Sequence, residues 1–127
     1  MGLIVLDTCI LIDHLRDVDE AADAVDAALE AGETLAASVV TKVELLTGMR
    51  SHERKATREV MAKLHWIGVD DQIAELAGEM GRRYRRSHTG IGPIDCLVAA
   101  TAEQQSAELW TRNIKHFPMF PKLLPPY

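Results

Sequence analysis

The sequence predicts an α/β fold with a mainly parallel central sheet flanked by helices, and three observations predict it. The chain opens Gly2-Leu3-Ile4-Val5-Leu6-Asp7, four consecutive aliphatic residues of the kind found in a strand covered on both faces. Short apolar stretches of this sort then alternate with longer segments of helical periodicity along the chain. At 127 residues the length suits one domain, spanning residues 1–127, and no internal repeat or low-complexity tract divides it.

Residues 3–6 form the first strand, and residues 9–15 read as a short helix after it. Residues 21–31 make a longer helix, with Ala, Val and Leu recurring at helical spacing until Gly32 closes it. A second strand is expected over 35–38. Thr41-Lys42-Val43-Glu44-Leu45-Leu46 opens a helix to about Met49, and after a polar break residues 54–64 continue helical. Residues 66–69 suit a short strand, and 73–86 a helix whose Ile73, Leu76, Ala77, Met80 and Tyr84 mark one face. Thr89-Gly90-Ile91-Gly92-Pro93 is the clearest loop, and Pro93 leads into a buried helix over 94–105. Residues 108–111 make the last strand, a turn follows at Asn113, and the Pro-rich end from Pro118 to Tyr127 reads as a surface tail with room for one extended segment.

Composition excludes several classes. No apolar run approaches the roughly 20 residues of a membrane span, and the start lacks the basic region of a signal peptide, so a cytoplasmic protein is expected. Cys9 and Cys96 stand far apart without metal-ligand spacing, which leaves them as packed thiols. Charge is unevenly spread. Residues 1–41 hold nine acids against Arg16 alone, whereas residues 42–127 hold thirteen bases against ten acids. Arg82, Arg83, Arg85 and Arg86 cluster among those bases, either as phosphate contacts for a nucleic acid or as a solvated helix face.

Asp7, Glu44 and Asp95 each follow an apolar stretch and lie near a helix start. Singly, each reads as a cap: Asp7 before its helix, Thr41-x-x-Glu44 as a capping box, Asp95 at the positive end of its helix. Together they say more. In a parallel sheet all three starts face the same edge, where ligands bind and where gathered carboxylates resist ionising unless a cation joins them. Oxygen donors without Cys or His at ligand spacing favour Mg²⁺ or Mn²⁺ over zinc.

Four segments carry a family resemblance: LDTCILIDHL, SVVTKVELLTGM, GPIDCLVAATA and LWTRNIKHFPMF. In that order they resemble a PIN-domain ribonuclease, and within that family the VapC-type toxins of bacterial toxin–antitoxin pairs. The resemblance implies a three-layer α/β/α sandwich and metal-dependent cleavage of RNA phosphodiesters. It assigns Asp7, Glu44 and Asp95 as metal-binding acids, Thr8 and Thr111 as hydroxyls supporting the site, and Asn113 as the fourth polar position. His116 stands where relatives often have an acid. Implied partners are a VapB-type antitoxin, an RNA substrate and a second copy of the chain. Arg112 and Lys115, which flank Asn113, join the arginine cluster as candidate contacts to RNA or partner.

Three rival readings remain. Cys9 is a conceivable nucleophile, but it sits in an apolar helix pattern with no nearby His. Aspartate-nucleophile phosphatases of the haloacid dehalogenase type place a second Asp two residues after the first, a position held here by Cys9. The third rival is a non-catalytic binding module whose acids are only caps.

Overall fold

The computed structural model describes residues 2–84, 86–87 and 90–127. His88 and Thr89, the latter at the start of the expected loop, lie outside the described residues. Four parallel strands form one sheet in the order β3-β2-β1-β4: β1 is Leu3–Leu6, β2 Thr34–Ser38, β3 His65–Ile67 and β4 Glu108–Trp110. Val5 pairs with Ala36 on one side and Leu109 on the other. β1 is hydrogen-bonded along both edges and covered by helices on both faces, so Ile4, Val5 and Leu6 are buried, as the aliphatic composition requires.

The period-two alternation of the strands divides their side chains between two helical layers. Val5, Ala36, Ile67 and Leu109 point to a core shared with Ile73, Ala77 and Met80 of α5 (Asp71–Tyr84) and Cys96, Val98 and Ala99 of α6 (Pro93–Gln104). Ile4, Leu6, Leu35 and Ala37 point the opposite way. They meet Ile10 and Leu11 of α1 (Thr8–Leu15), Val25 and Ala28 of α2 (Asp19–Glu30), Leu45 of α3 (Val39–Gly48), and Val60 and Met61 of α4 (Arg54–Ala62). The result is a three-layer α/β/α sandwich. Each fully buried Leu or Ile in these cores contributes roughly 1.5–3 kcal/mol.

Two expectations need correction. Thr41 is not the cap of α3: the helix begins at Val39, and the Ser38 hydroxyl caps it by accepting the Val40 N–H at 3.2 Å. Ser is as good a cap as Thr, and placing the start at Ser38 buries Thr41 completely inside the first turns. The C-terminal segment is not a loose surface tail either. Met119, Phe120 and Leu123 pack against the α5–α6 core, and Tyr127 reaches the opposite one. No strand forms there among the described residues, because turn bonds such as Phe120 N–H to the Phe117 carbonyl hold the chain instead.

The topology fixes where a site belongs. The chain runs from β1 outward through β2 to β3, then crosses back to place β4 on the far side of β1. The order therefore reverses between β1 and β4, and a crevice opens beyond their carboxyl ends. Asp7 follows β1 and Thr111 follows β4, so both lie at that crevice. Before α6, Gly90 takes φ +89°, and a Cβ there would meet His116 Nε2 at 3.3 Å, which explains a glycine at this point.

Candidate active site

Asp7 is buried at 6% exposure and caps α1, accepting the Thr8 N–H on Oδ1 at 2.9 Å. Its other oxygen, Oδ2, accepts the Thr111 hydroxyl at 2.7 Å and the Cys9 thiol at 3.6 Å. The Thr111 oxygen in turn accepts the Asn113 N–H at 3.0 Å, and Cys9 Sγ accepts the Arg112 N–H at 3.5 Å. The turn after β4 is thus tied to the Asp7 carboxylate through two side chains.

Burial, above all, pushes the Asp7 carboxyl above its ordinary value; the Thr111 hydroxyl and the Thr8 N–H pull it back, while the Asp95 carboxylate adds to the rise. Asp7 and Asp95 therefore feel one another's charge. Asp95 lies in the first turn of α6, where Oδ2 accepts the Gly92 N–H at 3.3 Å and stands 3.2 Å from His116 Nδ1. Glu44, on an exposed turn of α3, accepts the Thr8 hydroxyl at 2.5 Å, and Thr8 is also 3.5 Å from the buried Thr41 hydroxyl. Thr8 therefore joins Glu44 to Asp7: its hydroxyl binds one acid and its N–H the other.

The expected residues are brought together unevenly. Asp7, Thr8, Thr111 and the backbone of Asn113 form one hydrogen-bonded group, Asp95 couples to it by charge, and Glu44 joins through Thr8. Among the described residues no three His, Cys, Asp or Glu side chains converge as a ready-made metal cage. The donor set still fits a hard cation. Mg²⁺ is commonly held by one or two carboxylates with water and substrate oxygens completing the shell, and Asp7 with Asp95 supplies that pair. Two like charges, one buried, are the arrangement that a cation relieves.

Arg112, Asn113 and Lys115 are exposed on the turn beside these acids. Arg82 and Arg86 lie elsewhere, lining a groove of about 720 Å³ between α5 and α6, and the exposed Arg83 stacks near the Tyr84 ring at 5.3 Å. Arg85 lies outside the described residues. The spacing of Cys9 predicts a packed thiol, whereas it is half-buried and hydrogen-bonded to the site; its position two residues after Asp7, in the first turn of α1, is the available signal. Burial pushes its thiol up, so it serves as a hydrogen-bond donor to Asp7 and not as a nucleophile.

Removing the Thr111 hydroxyl tests this network. Thr111→Val keeps the shape and leaves Asp7 Oδ2 with the weak thiol donor alone. A loss of about 1.5–3 kcal/mol at neutral pH is expected, the range for a hydrogen bond to a charged group. Urea denaturation at pH 7 measures it, and a midpoint unchanged from the parent chain would show that the hydroxyl does not support the carboxylate.

A buried Asp at a topological switch point, with a second acid nearby and a hydroxyl-lined turn beneath it, defines an α/β protein with an acidic site at its strand ends. The PIN domain family model matches residues 4–119, and the chain belongs to that family, among its VapC-type members. It is 46% identical over 125 residues to Ribonuclease VapC10 of Mycobacterium tuberculosis, covering 98% of this chain and 93% of the relative. It is 44% identical over 122 residues to Ribonuclease VapC19 of the same organism, covering 96% and 98%. A solved toxin–antitoxin complex from Klebsiella pneumoniae contains a chain that aligns at TM-score 0.78 and 30% identity over 98% of both chains.

Proposed function

We propose that the chain is a metal-dependent endoribonuclease toxin, neutralised by a VapB-type antitoxin. The observation that carries this reading is the pairing of buried Asp7 with Asp95 at the crevice between β1 and β4, within a family whose near relatives are named ribonucleases. Asp7 and Asp95 would hold Mg²⁺ or Mn²⁺, with Glu44 one hydroxyl away. When bound, such an ion polarises a phosphate oxygen and makes an attacking water more acidic. The protein's own part is positional. Thr111, Cys9 and the Thr8 N–H fix the plane of the Asp7 carboxylate, and Gly92 and His116 fix that of Asp95. Glu44 lies on the exposed side of the site, where it can accept a proton from water arriving from solvent.

An apolar groove beside the site suits the antitoxin. Ile12, Leu15, Leu45 and Met49 line it together with Glu44, Arg16 and Glu53. A partner segment lying there with a basic side chain toward the acids would also complement the negative charge of residues 1–41. No helix among the described residues is long and apolar enough to cross a membrane.

Incubation with a panel of structured RNAs, with and without Mn²⁺, tests the activity. Cleavage that appears with the metal and stops on adding antitoxin is expected. Intact RNA under every condition, together with no thermal stabilisation by divalent ions, would favour the binding-module reading.

Asn113 bears on how many ions are held. It is exposed and uncharged, so Asp7, Glu44 and Asp95 supply three negative charges against the four positive charges of two divalent ions. One tight ion is expected, with a second arriving alongside the substrate phosphate. Asn113→Asp is expected to strengthen the second site by about 1–4 kcal/mol before repulsion from the other acids is subtracted. Two strong sites already present in the parent chain, by calorimetry, would rule this out.

A further inference from the structure

Arg112 stands between Thr111, whose hydroxyl binds Asp7, and Asn113, and its own N–H donates to Cys9 Sγ at 3.5 Å. Its backbone is thereby fixed beside the acids. Its side chain, 51% exposed, turns toward the C-terminal residues, with the guanidinium carbon 5.0 Å from the centroid of the Tyr127 ring and Nη1 3.7 Å from Asp13 Oδ2. The Tyr127 hydroxyl donates to that same Oδ2 at 2.6 Å, a short charge-assisted bond. Burial and the neighbouring Asp13 push the Tyr127 phenol up, so this donor persists at any working pH.

An ordinary surface Arg–Asp pair fixes little, because both side chains are mobile and solvated. Here the Tyr127 ring lies against the guanidinium, and its phenol holds the carboxylate that attracts it. At 3.7 Å, Asp13 attracts Arg112 without forming a hydrogen bond of normal length. Among the described residues the guanidinium therefore keeps its N–H groups unbonded while its position is fixed. A planar fork with free donors suits a phosphate, and an anionic strand approaching Asp7 and Asp95 needs a cation close by.

We propose that Arg112 binds a phosphate of the RNA strand beside the reacting one, and that Tyr127 and Asp13 are positioning residues that hold its guanidinium ready for it. The assignment rests on the ribonuclease reading above. Prepositioning removes conformational freedom that a free arginine would lose on binding, so Tyr127 acts on affinity although it touches no RNA.

The test is the affinity of a labelled single-stranded RNA, measured in chelator across a range of salt concentrations, for the parent chain and its variants. Arg112→Gln is expected to weaken binding about tenfold. It should also make the salt slope shallower by about 0.7, the value of one phosphate contact on a single strand. Tyr127→Leu should weaken binding about three- to fivefold, and Tyr127→Phe, which keeps the ring, by less. The double variant Arg112→Gln/Tyr127→Leu should bind no more weakly than Arg112→Gln alone, an epistasis that a merely structural tail would not produce. Arg112→Lys should recover only part of the affinity, because an ammonium lacks the planar fork that takes a phosphate at two points. Unchanged affinity and slope in these variants, with the parent chain binding RNA, would overturn this assignment alone. Additive effects would overturn the positioning role of Tyr127, and tighter binding by Tyr127→Leu would mean that the tail holds Arg112 away from RNA. A parent chain that binds no RNA in chelator and neither binds nor cleaves it with Mn²⁺ would overturn the ribonuclease reading with it.

Discussion

Asp7→Asn is expected to abolish RNA cleavage and, at neutral pH, to raise the melting temperature. The first effect follows from removing the charge through which the site would hold its cation. Loss of several kcal/mol of transition-state stabilisation corresponds to a rate reduction of about 10³-fold or more. The second follows from burial. The folded-state pKa of Asp7 is raised above the ordinary 3.8, chiefly by desolvation, so the folded protein keeps its proton longer than the unfolded chain does. Stability from this group is therefore complete below pH 3.8 and declines as pH rises toward the folded value. An amide at the same position has no charge to desolvate and can still accept the Thr8 N–H. The melting gap between variant and parent should be absent at acid pH and open as pH rises. A divalent ion, by favouring the ionised parent, should narrow it again. A variant that retains cleavage, or that melts lower than the parent at pH 7, would contradict the reading of Asp7 as a buried charge kept for function.

The largest effect on stability is expected at Phe117. It is 1% exposed, belongs to the α5–α6 core and directly follows His116. Its N–H donates to the Ile114 carbonyl at 3.0 Å, closing the short turn Ile114–His116 that presents His116 to Asp95. Phe117→Ala removes a large aromatic from a filled core and should cost about 3–5 kcal/mol, a large share of the roughly 5–15 kcal/mol available to a domain. Because the same residue anchors the turn, metal affinity should fall along with stability. Urea denaturation gives the first quantity, and a loss below about 1 kcal/mol would mean that the core closes around the vacancy.

How much of this was legible in the sequence depends on the range of the interaction. Leu3–Leu6 followed by Asp7 could be read directly, since four aliphatic residues and then an acid state both the buried strand and its functional end. Asp95 was legible for a similar reason: Pro93 marks the first turn of α6 and puts the acid two residues inside it. Thr41 misled because Ser38 offered an equally good cap three residues earlier, and Val39 and Val40 fit a strand or a helix alike. The links that shape the site could not be read from local pattern, and Thr111 entered only through the family resemblance. Thr111 to Asp7 spans 104 residues and Tyr127 to Asp13 spans 114, and local periodicity carries no record of either. The same holds for His116 against Asp95, whose meeting depends on the Phe117 anchor and on Gly90, a residue without a side chain to obstruct the imidazole.

The central question is whether Asp7 and Asp95 share a cation. Calorimetric titration with Mn²⁺ tests this without relying on any RNA or antitoxin. The parent chain is expected to bind one ion tightly, and both Asp7→Asn and Asp95→Asn are expected to lose that site while remaining folded. Absence of binding by the parent chain, or an undiminished site in either variant, would contradict a shared cation.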